Sequence, residues 1–426
     1  MSSQTLPQVL KMHSPKQVVI AGGGAFGGMV SYLLSQRGCA VTLIDKAKPG
    51  QATTASAGGL WPVGESIGLG CGVIFHATHA AEGDSAAPED AGPQPLPRSF
   101  MDFLCKSNEL FPKLTADLEQ HSGVHIETES GTGLLYVIYN EEEQRYADQL
   151  IEWLSDGDTP VEQWSRAEAM AHEPLLTGDQ LGGIYFPGDN QVNPMLLADA
   201  CRRSSVKLGA RYLYDTEVIG LEMKGDNIQC VQTTRGDFPC DVFVNAAGSW
   251  SAQIAAMVGL DIPIFPVRGQ ILCTEALRDQ TLRCNLSTSD CYILQKAHGE
   301  VIIGSTTEIC GFDTEVPLEN LTGLAAGVRR AIPAMGFSTI KRSWSGLRPG
   351  TPDEYPILGP MAGVANYFNA TGGFRTGIVG SPLSAEIVVA HIMDDPQPYD
   401  HKLFMADRFK EKDLHLSKQI QHASEL

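Results

Sequence analysis

The chain has 426 residues, 43% of them hydrophobic, and carries a formal net charge of -19. That length and apolar content suit two globular domains, by the prior of roughly 100–200 residues per domain, whereas the acidity excludes a nucleic-acid partner, which would need clustered Lys and Arg. Ten cysteines without a C-x-x-C pair exclude a zinc ribbon or an iron–sulfur cluster held wholly by this chain, and no metal site is expected.

Residues 1–16 are polar and lack the apolar centre of a signal peptide, and no apolar run approaches the ~20 residues of a membrane helix. Membrane contact is therefore expected to be peripheral or through a partner, and the scattered thiols fit a reducing cytoplasm. Gln17-Val-Val-Ile-Ala-Gly-Gly-Gly-Ala-Phe-Gly-Gly28 reads as a strand, a tight turn and a helix start. Gly22, Gly24 and Gly27 fit G-x-G-x-x-G: the first makes the turn, the second admits a pyrophosphate against bare backbone, and the third allows close helix–strand packing. The helix N-terminus offers its unpaired N–H groups to the phosphates. A second strand over 39–45 ends in Asp45, whose carboxylate can take the hydroxyls of an adenosine ribose. Together these features predict a bound dinucleotide.

Thr53-Thr-Ala-Ser-Ala-Gly-Gly-Leu-Trp61 is a run of small residues that either lies against something flat or serves as a linker. Residues 71–97, rich in Ala, Gly and Pro, read as a surface insertion, and His76 and His79 within it lack a third metal ligand. Helices are predicted over 99–120 and 141–155 with a strand over 133–139 between them, and Gly123 argues against a regular helix through His121 and His125. Residues 183–188 and 210–214 read as strands flanking a Pro-started helix that follows Asn193. A strand over 238–245 then leads into Ala246-Ala-Gly-Ser-Trp250 and a helical stretch to Val258. From 263 to 344 the pattern is strands and turns, and 367–377 leads into an apolar helix ending near Ile392. Strand–glycine–helix signals near residues 20, 248 and 372 predict an α/β protein of two discontinuous domains. A Rossmann-like dinucleotide domain is expected from 1–98, 189–262 and 346–410, and a sheet-rich α+β substrate domain from 99–188 and 263–345. The insertion at 71–97 and a tail at 411–426 complete the chain.

These segments resemble, nearly end to end, the D-amino acid oxidase and glycine oxidase family of FAD-dependent amine oxidoreductases. The resemblance rests on 22–45, 53–59, 245–250, Val267-Arg-Gly-Gln270, Trp344-Ser-Gly-Leu-Arg-Pro-Gly350 and 371–377. Within that family, 55–75, Thr288-Ser-Asp-Cys-Tyr292, Ile303-Gly-Ser-Thr-Thr-Glu308 and 346–354 resemble the flavin subunits of cyanide-forming glycine dehydrogenase complexes. Flavin subunits of opine or hydroxyproline dehydrogenases, and stand-alone oxygen-using glycine or D-amino acid oxidases, are the alternatives. The resemblance implies FAD, a glycine or related amino acid as substrate, and hydride transfer from Cα to flavin N5 with release of cyanide and carbon dioxide. It also implies electron transfer to partner subunits carrying an iron–sulfur centre and a second flavin type, at the inner face of the cell membrane.

Residue by residue, the resemblance places the pyrophosphate at Gly22, Gly24 and Gly27 and the ribose at Asp45. Thr53, Thr54, Ser56, Ala57, Gly58 and Gly59 on one side, and Gly372, Gly373, Phe374, Arg375, Thr376 and Gly377 on the other, would flank the isoalloxazine. Val218, Ala247 and Gly248 complete the cofactor set. Arg348 is implied to hold the substrate carboxylate, a task its planar fork suits better than a lysine. Tyr292 and Arg375 are implied as second contacts; a packed core tyrosine and a structural ion pair are the other readings of these two. Gly373 stands where glycine oxidases commonly have His, and Gln295-Lys296 where they often have Pro-Arg. Gly346 stands where sarcosine oxidases carry the cysteine that bonds the flavin, so FAD is expected to be held non-covalently.

Overall fold

The computed structural model describes residues 15–67, 95–155, 157, 159–277 and 280–421. Most of the insertion expected at 71–97, including His76 and His79, lies outside the described residues.

The apolar runs of the two glycine-flanked segments are nearly continuous because their sheet is covered on both faces. Its six strands lie in the order Ile357–Met361, Val364–Thr371, Val242–Asn245, Gln17–Ala21, Ala40–Asp45 and Arg211–Tyr214. All neighbours are parallel except the first pair. Side chains alternate across it: Val18, Ile20, Leu43 and Val244 meet the helices Ala25–Gln36 and Ser381–Met393 on one face. Val19, Ala21, Ile44 and Phe243 face the other way, onto the three-stranded sheet of Val218–Lys224, Asn227–Thr233 and Gly236–Pro239.

The second sheet has eight strands, in the order Ile340–Gly350, Phe265–Thr274, Val301–Gly304, Tyr292–Gln295, Asn285–Ser287, Leu134–Ile138, Gly182–Phe186 and Glu162–Ser165. Leu135, Val137, Leu272, Ile293 and Ile303 bury one face against Leu324 and Val328 of the helix Leu318–Ala331. Leu134, Tyr136, Ile271, Leu294 and Ile302 bury the other beneath Leu150 and Leu154 of the helix Glu141–Ser155, together with Trp61 and Val63. The fold is thus a discontinuous α/β dinucleotide-binding layer joined to a sheet-rich layer.

Several local expectations change. The single helix expected over 99–120 is two, Arg98–Glu109 and Phe111–Ser122. Pro112 lacks the N–H that would bond residue 108 and its ring opposes that carbonyl, so the chain breaks at Leu110 and Pro112 sits in the first turn of the second helix. Phe100, Phe103, Leu104 and Phe111 pack into the core of the first layer, although 99–188 was expected with the second. The strand expected over 238–245 is likewise two, Gly236–Pro239 and Val242–Asn245. The helix Leu318–Ala331 interrupts a segment read as strands and turns, and the strand Ile340–Gly350 runs across the boundary expected at 345/346. Gly123 does end its helix, at φ 74° with its N–H on the Glu119 carbonyl at 2.8 Å. Among the described residues no helix is long and apolar enough to cross a membrane, no cluster suits a metal ion, and the cysteines are free thiols.

Candidate active site

At the carboxyl end of the strand Gln17–Ala21 the backbone turns through Gly22 at φ 111°, in the left-handed region that penalises a Cβ. A Cβ there would also lie 2.1 Å from the Ala246 carbonyl oxygen. The helix Ala25–Gln36 then starts from Gly24 with no side-chain cap and no acid in its first turn; among the described residues Thr53 Oγ1 meets the Ala25 N–H at 3.0 Å. Its remaining first-turn donors face a cleft lined by Gly22, Gly24, Ala25 and Phe26, an arrangement that attracts anions. Gly27 works from behind: a Cβ on it would come within 1.9 Å of the Gly22 carbonyl oxygen, and the residue does not line the cleft.

Asp45 is 5% exposed and accepts hydrogen bonds from Gly23 N–H at 2.8 Å, Ala47 N–H at 2.7 Å and Gln51 Nε2 at 2.7 Å. A carboxylate offers roughly four lone-pair directions, so the same group that ties the glycine turn to the following loop can still take a ribose hydroxyl. Around it stand Lys46, Lys48, Arg202 and Glu217, none of which the sequence reading placed in the site. Lys46 pairs with Glu217, and the Lys48 ammonium lies over the Trp250 ring at 5.2 Å. Burial and the neighbouring Lys46 hold Lys48 below the ordinary lysine pKa, against the pull of Glu217. Arg202, from the helix Pro194–Lys207 that Asn193 caps, donates to the Gly23 carbonyl at 3.4 Å.

The cleft continues to the second sheet past Thr53, Thr54, Ser56, Ala57, Gly58 and Gly59, with Val218, Ala247 and Gly248 at its side and Gly372, Gly373, Phe374, Arg375 and Gly377 opposite. Thr376 turns away, its hydroxyl on the Gly373 carbonyl at 3.2 Å and 3% exposed. The absence of a side chain at 373 has a steric cause: a Cβ would lie 2.7 Å from Gly377 Cα and 2.9 Å from Phe26 Cζ. At Gly346 a Cβ would lie 2.5 Å from the Ala55 Cβ, so the position where related enzymes have a thiol has no room for one here.

At the far end, Arg348 Nη2 meets Ser305 Oγ at 2.6 Å and Nη1 meets the Thr306 carbonyl at 3.1 Å. Its guanidinium lies over Gly269 of the neighbouring strand, where a Cβ would be 2.2 Å from Nη2. Gly304 clears the same kind of space for the Tyr292 hydroxyl, which a Cβ would approach to 2.3 Å. Burial raises the Tyr292 pKa, while Arg348, the Ser305 hydrogen bond and Arg375 pull it down and Glu65 adds to the rise, so the phenol is neutral near pH 7. Arg375 is paired with Glu65, Nε to Oε2 at 2.8 Å, with both side chains nearly buried. The ion-pair reading of Arg375 therefore holds, and the pair still lines the cleft beside Tyr292. Trp61 meets the Tyr292 ring edge-on at 5.5 Å. Trp61, Glu65, Ser305 and Gly269 were not marked as site residues by the sequence reading; the position of Trp61 at the end of the small-residue run, with Glu65 four residues on, was the available signal.

Lys296, whose place in the sequence departs from the glycine oxidase pattern, lies outside the cleft. It is buried, with Nζ on Gln191 Oε1 at 2.9 Å and on the Val192 carbonyl at 3.2 Å.

A bare-backbone turn, an uncapped helix start and a buried acid, opening into one cleft that ends on an arginine beneath a second sheet, define a dinucleotide-dependent oxidoreductase. The fit to FAD is steric as well as polar, since the turn, the small-residue run and the glycines of the 372–377 loop line the cleft largely with backbone and small side chains. The chain belongs to the FAD dependent oxidoreductase family, DAO, whose model matches residues 17–391. It is 41% identical over 401 residues to the hydrogen cyanide synthase subunit HcnC of Pseudomonas protegens, covering 92% of this chain and 96% of that one. Identity to the same subunit of Pseudomonas aeruginosa is 40% over 408 residues, covering 94% and 97%. Glycine oxidase from Geobacillus kaustophilus superposes with a TM-score of 0.80 at 26% identity, covering 93% of this chain and all of that one. The protein is accordingly an FAD-dependent oxidoreductase that holds its flavin non-covalently.

Proposed function

We propose that this protein is the flavin-carrying subunit of a cyanide-forming glycine dehydrogenase complex, in which it oxidises glycine to hydrogen cyanide and carbon dioxide. The observation that carries the proposal is Arg348: its guanidinium, held by Ser305 and Thr306 over Gly269, ends the same cleft that the glycine turn opens. The kinship to relatives named as hydrogen cyanide synthase subunits supports it.

Bound FAD supplies the acceptor for the hydride that leaves the substrate Cα. Arg348 takes the glycine carboxylate with its paired N–H groups and fixes the direction of the Cα–H bonds, and such orientation can supply much of an acceleration. The Tyr292 phenol stands beside it as a neutral donor, and Arg375 beyond is paired with Glu65. Trp61 and Ile271, each 4% exposed, are apolar walls that keep water from the reacting carbon. Gly22, Gly24 and Asp45 are assigned to the pyrophosphate and ribose, and the 53–59 and 372–377 segments to the flavin ring. Lys48 adds positive charge at the phosphate end, where Lys46 and Arg202 are paired with Glu217 and Asp199.

Two successive two-electron oxidations of glycine give hydrogen cyanide and carbon dioxide with four electrons and four protons to pass on. Partner subunits with an iron–sulfur centre and a second flavin are the proposed recipients, at the inner face of the cell membrane. The test is anaerobic flavin bleaching by glycine, followed by cyanide release from the co-purified complex with an artificial acceptor. Bleaching by hydroxyproline, an opine or sarcosine but not by glycine would redirect the assignment to another dehydrogenase subunit. Full turnover of the lone chain with oxygen, producing peroxide, would make it a stand-alone oxidase.

A further inference from the structure

The substrate end of the cleft has both polar and apolar lining. Arg348 and Ser305 form the polar part. Trp61 and Ile271, which belong to one buried cluster with Tyr292 packed against it, also line the cleft. Trp61 is 4% exposed and packed from several directions. Beneath it, a Cβ on Gly59 would lie 2.7 Å from the indole ring, which shows how closely the backbone supports it. Tyr292 holds its face edge-on at 5.5 Å, Pro62 follows it, and its carbonyl accepts the Glu65 N–H at 3.1 Å in the turn that follows. The Glu65–Arg375 ion pair then ties that turn to the 372–377 loop across the cleft.

We propose that Trp61 is the specificity-determining residue of the site, the wall that limits the substituent on the substrate Cα to hydrogen. The proposal rests on the glycine reading above and goes beyond it by naming the residue that enforces it. With the carboxylate on Arg348, a Cα substituent needs room in the part of the cleft that Trp61 and Ile271 line. There the indole is buried and packed against the Gly59 backbone, with little space to give way. One methylene more or less in an apolar pocket changes selectivity by about 10–200-fold, and a closely packed wall belongs in the upper part of that range. A hydrogen at Cα meets no such obstacle.

The test compares the FAD-loaded wild type with Trp61→Leu and Trp61→Phe by anaerobic stopped flow, measuring flavin reduction by glycine, D-alanine, L-alanine and sarcosine. Trp61→Leu is expected to raise the alanine-to-glycine ratio of reduction efficiency at least about tenfold for one alanine enantiomer. Trp61→Phe, which keeps a flat ring, is expected to stay within about threefold of wild type. Should Trp61→Leu fail to retain FAD, Ile271→Ala opens the adjoining wall and is expected to shift the same ratio in the same direction. An unchanged ratio in a flavin-replete Trp61→Leu protein, with the wild type still bleached by glycine, overturns the wall alone. A wild type that glycine does not bleach but a bulkier amino acid does overturns the glycine reading and the wall with it.

Discussion

Gly269 gives the sharpest prediction, because a single methyl group there interrogates the anchor without touching its charge. In Gly269→Ala the new Cβ would lie 2.2, 2.3 and 2.4 Å from Arg348 Nη2, Nη1 and Cζ, where non-bonded carbon contacts settle at about 3.5–4.0 Å. The guanidinium must therefore retreat by about 1 Å or more. It is the far end of a flexible side chain, so the strand pairing of Gly269 with Gly346 is expected to survive and the protein to fold. A displacement of about 1 Å at a positioning group can cost about 10²-fold. Outright removal in Arg348→Ala, at roughly 2–5 kcal/mol for truncating a charged partner, corresponds to about 30- to 5,000-fold in reduction efficiency. Both variants should purify with a full complement of FAD. Because they act through one guanidinium, Gly269→Ala combined with Arg348→Ala should be no worse than Arg348→Ala by more than a few-fold, a strong departure from additivity. The assay is anaerobic bleaching as a function of glycine concentration, with the flavin-to-protein ratio as control. Wild-type bleaching by Gly269→Ala, or multiplicative losses in the double variant, would refute the placement of the carboxylate on Arg348.

Asp45→Ala strands three donors that now share one carboxylate, at about 1–3 kcal/mol for each that stays buried, so FAD should bind the apoprotein at least tenfold more weakly by fluorescence quenching. Unchanged affinity would remove Asp45 from the site. Acid precipitation of the wild type should leave a colourless pellet, and Gly346→Cys should crowd Ala55 at a cost of about 1–3 kcal/mol and loosen FAD instead of linking it; yellow precipitated polypeptide would contradict the non-covalent site. Burial lowers the Lys296 pKa from 10.5 to about 8, against the opposing pull of Glu129 and Glu127. The unfolded chain then binds the extra proton between those values, so the stability difference between wild type and Lys296→Met should move in favour of the wild type as pH rises through that window, by up to about 3 kcal/mol. Urea midpoints that change in parallel for the two proteins would show that this lysine is not desolvated.

The dinucleotide turn was legible because its signals are local: bare backbone at Gly22 and Gly24, an acid at Asp45 and an apolar run before each all lie within one strand–helix–strand unit. The cleft beyond it was legible through family resemblance, since no periodicity tells that Arg348 reaches over Gly269 of the intervening strand to meet Ser305. Trp61 and Glu65 escaped notice because their role depends on Tyr292 and Arg375, which are far away in sequence. Arg202 escaped because a helix carries it back to the Gly23 carbonyl. The missed helix Leu318–Ala331 did carry a signal, apolar residues at Leu321, Leu324, Val328 and Ala331, but the strands around it dominated the reading of the segment. The break at Leu110 could have been read from Pro112 alone.

The order of strands in the six-stranded sheet has a consequence for how the protein matures. The pair that comes first in the chain, Gln17–Ala21 and Ala40–Asp45, lies beside Val242–Asn245, which in turn waits for Val364–Thr371. During synthesis the amino-terminal strands therefore spend most of translation with an open edge, and long-range pairings of this kind are slow and exposed to misassembly. The 372–377 loop, which forms one wall of the flavin cleft, emerges later still. Cofactor capture is consequently an event of the completed chain. A polypeptide ended ahead of residue 357 lacks both the sheet edge and that wall of the cleft.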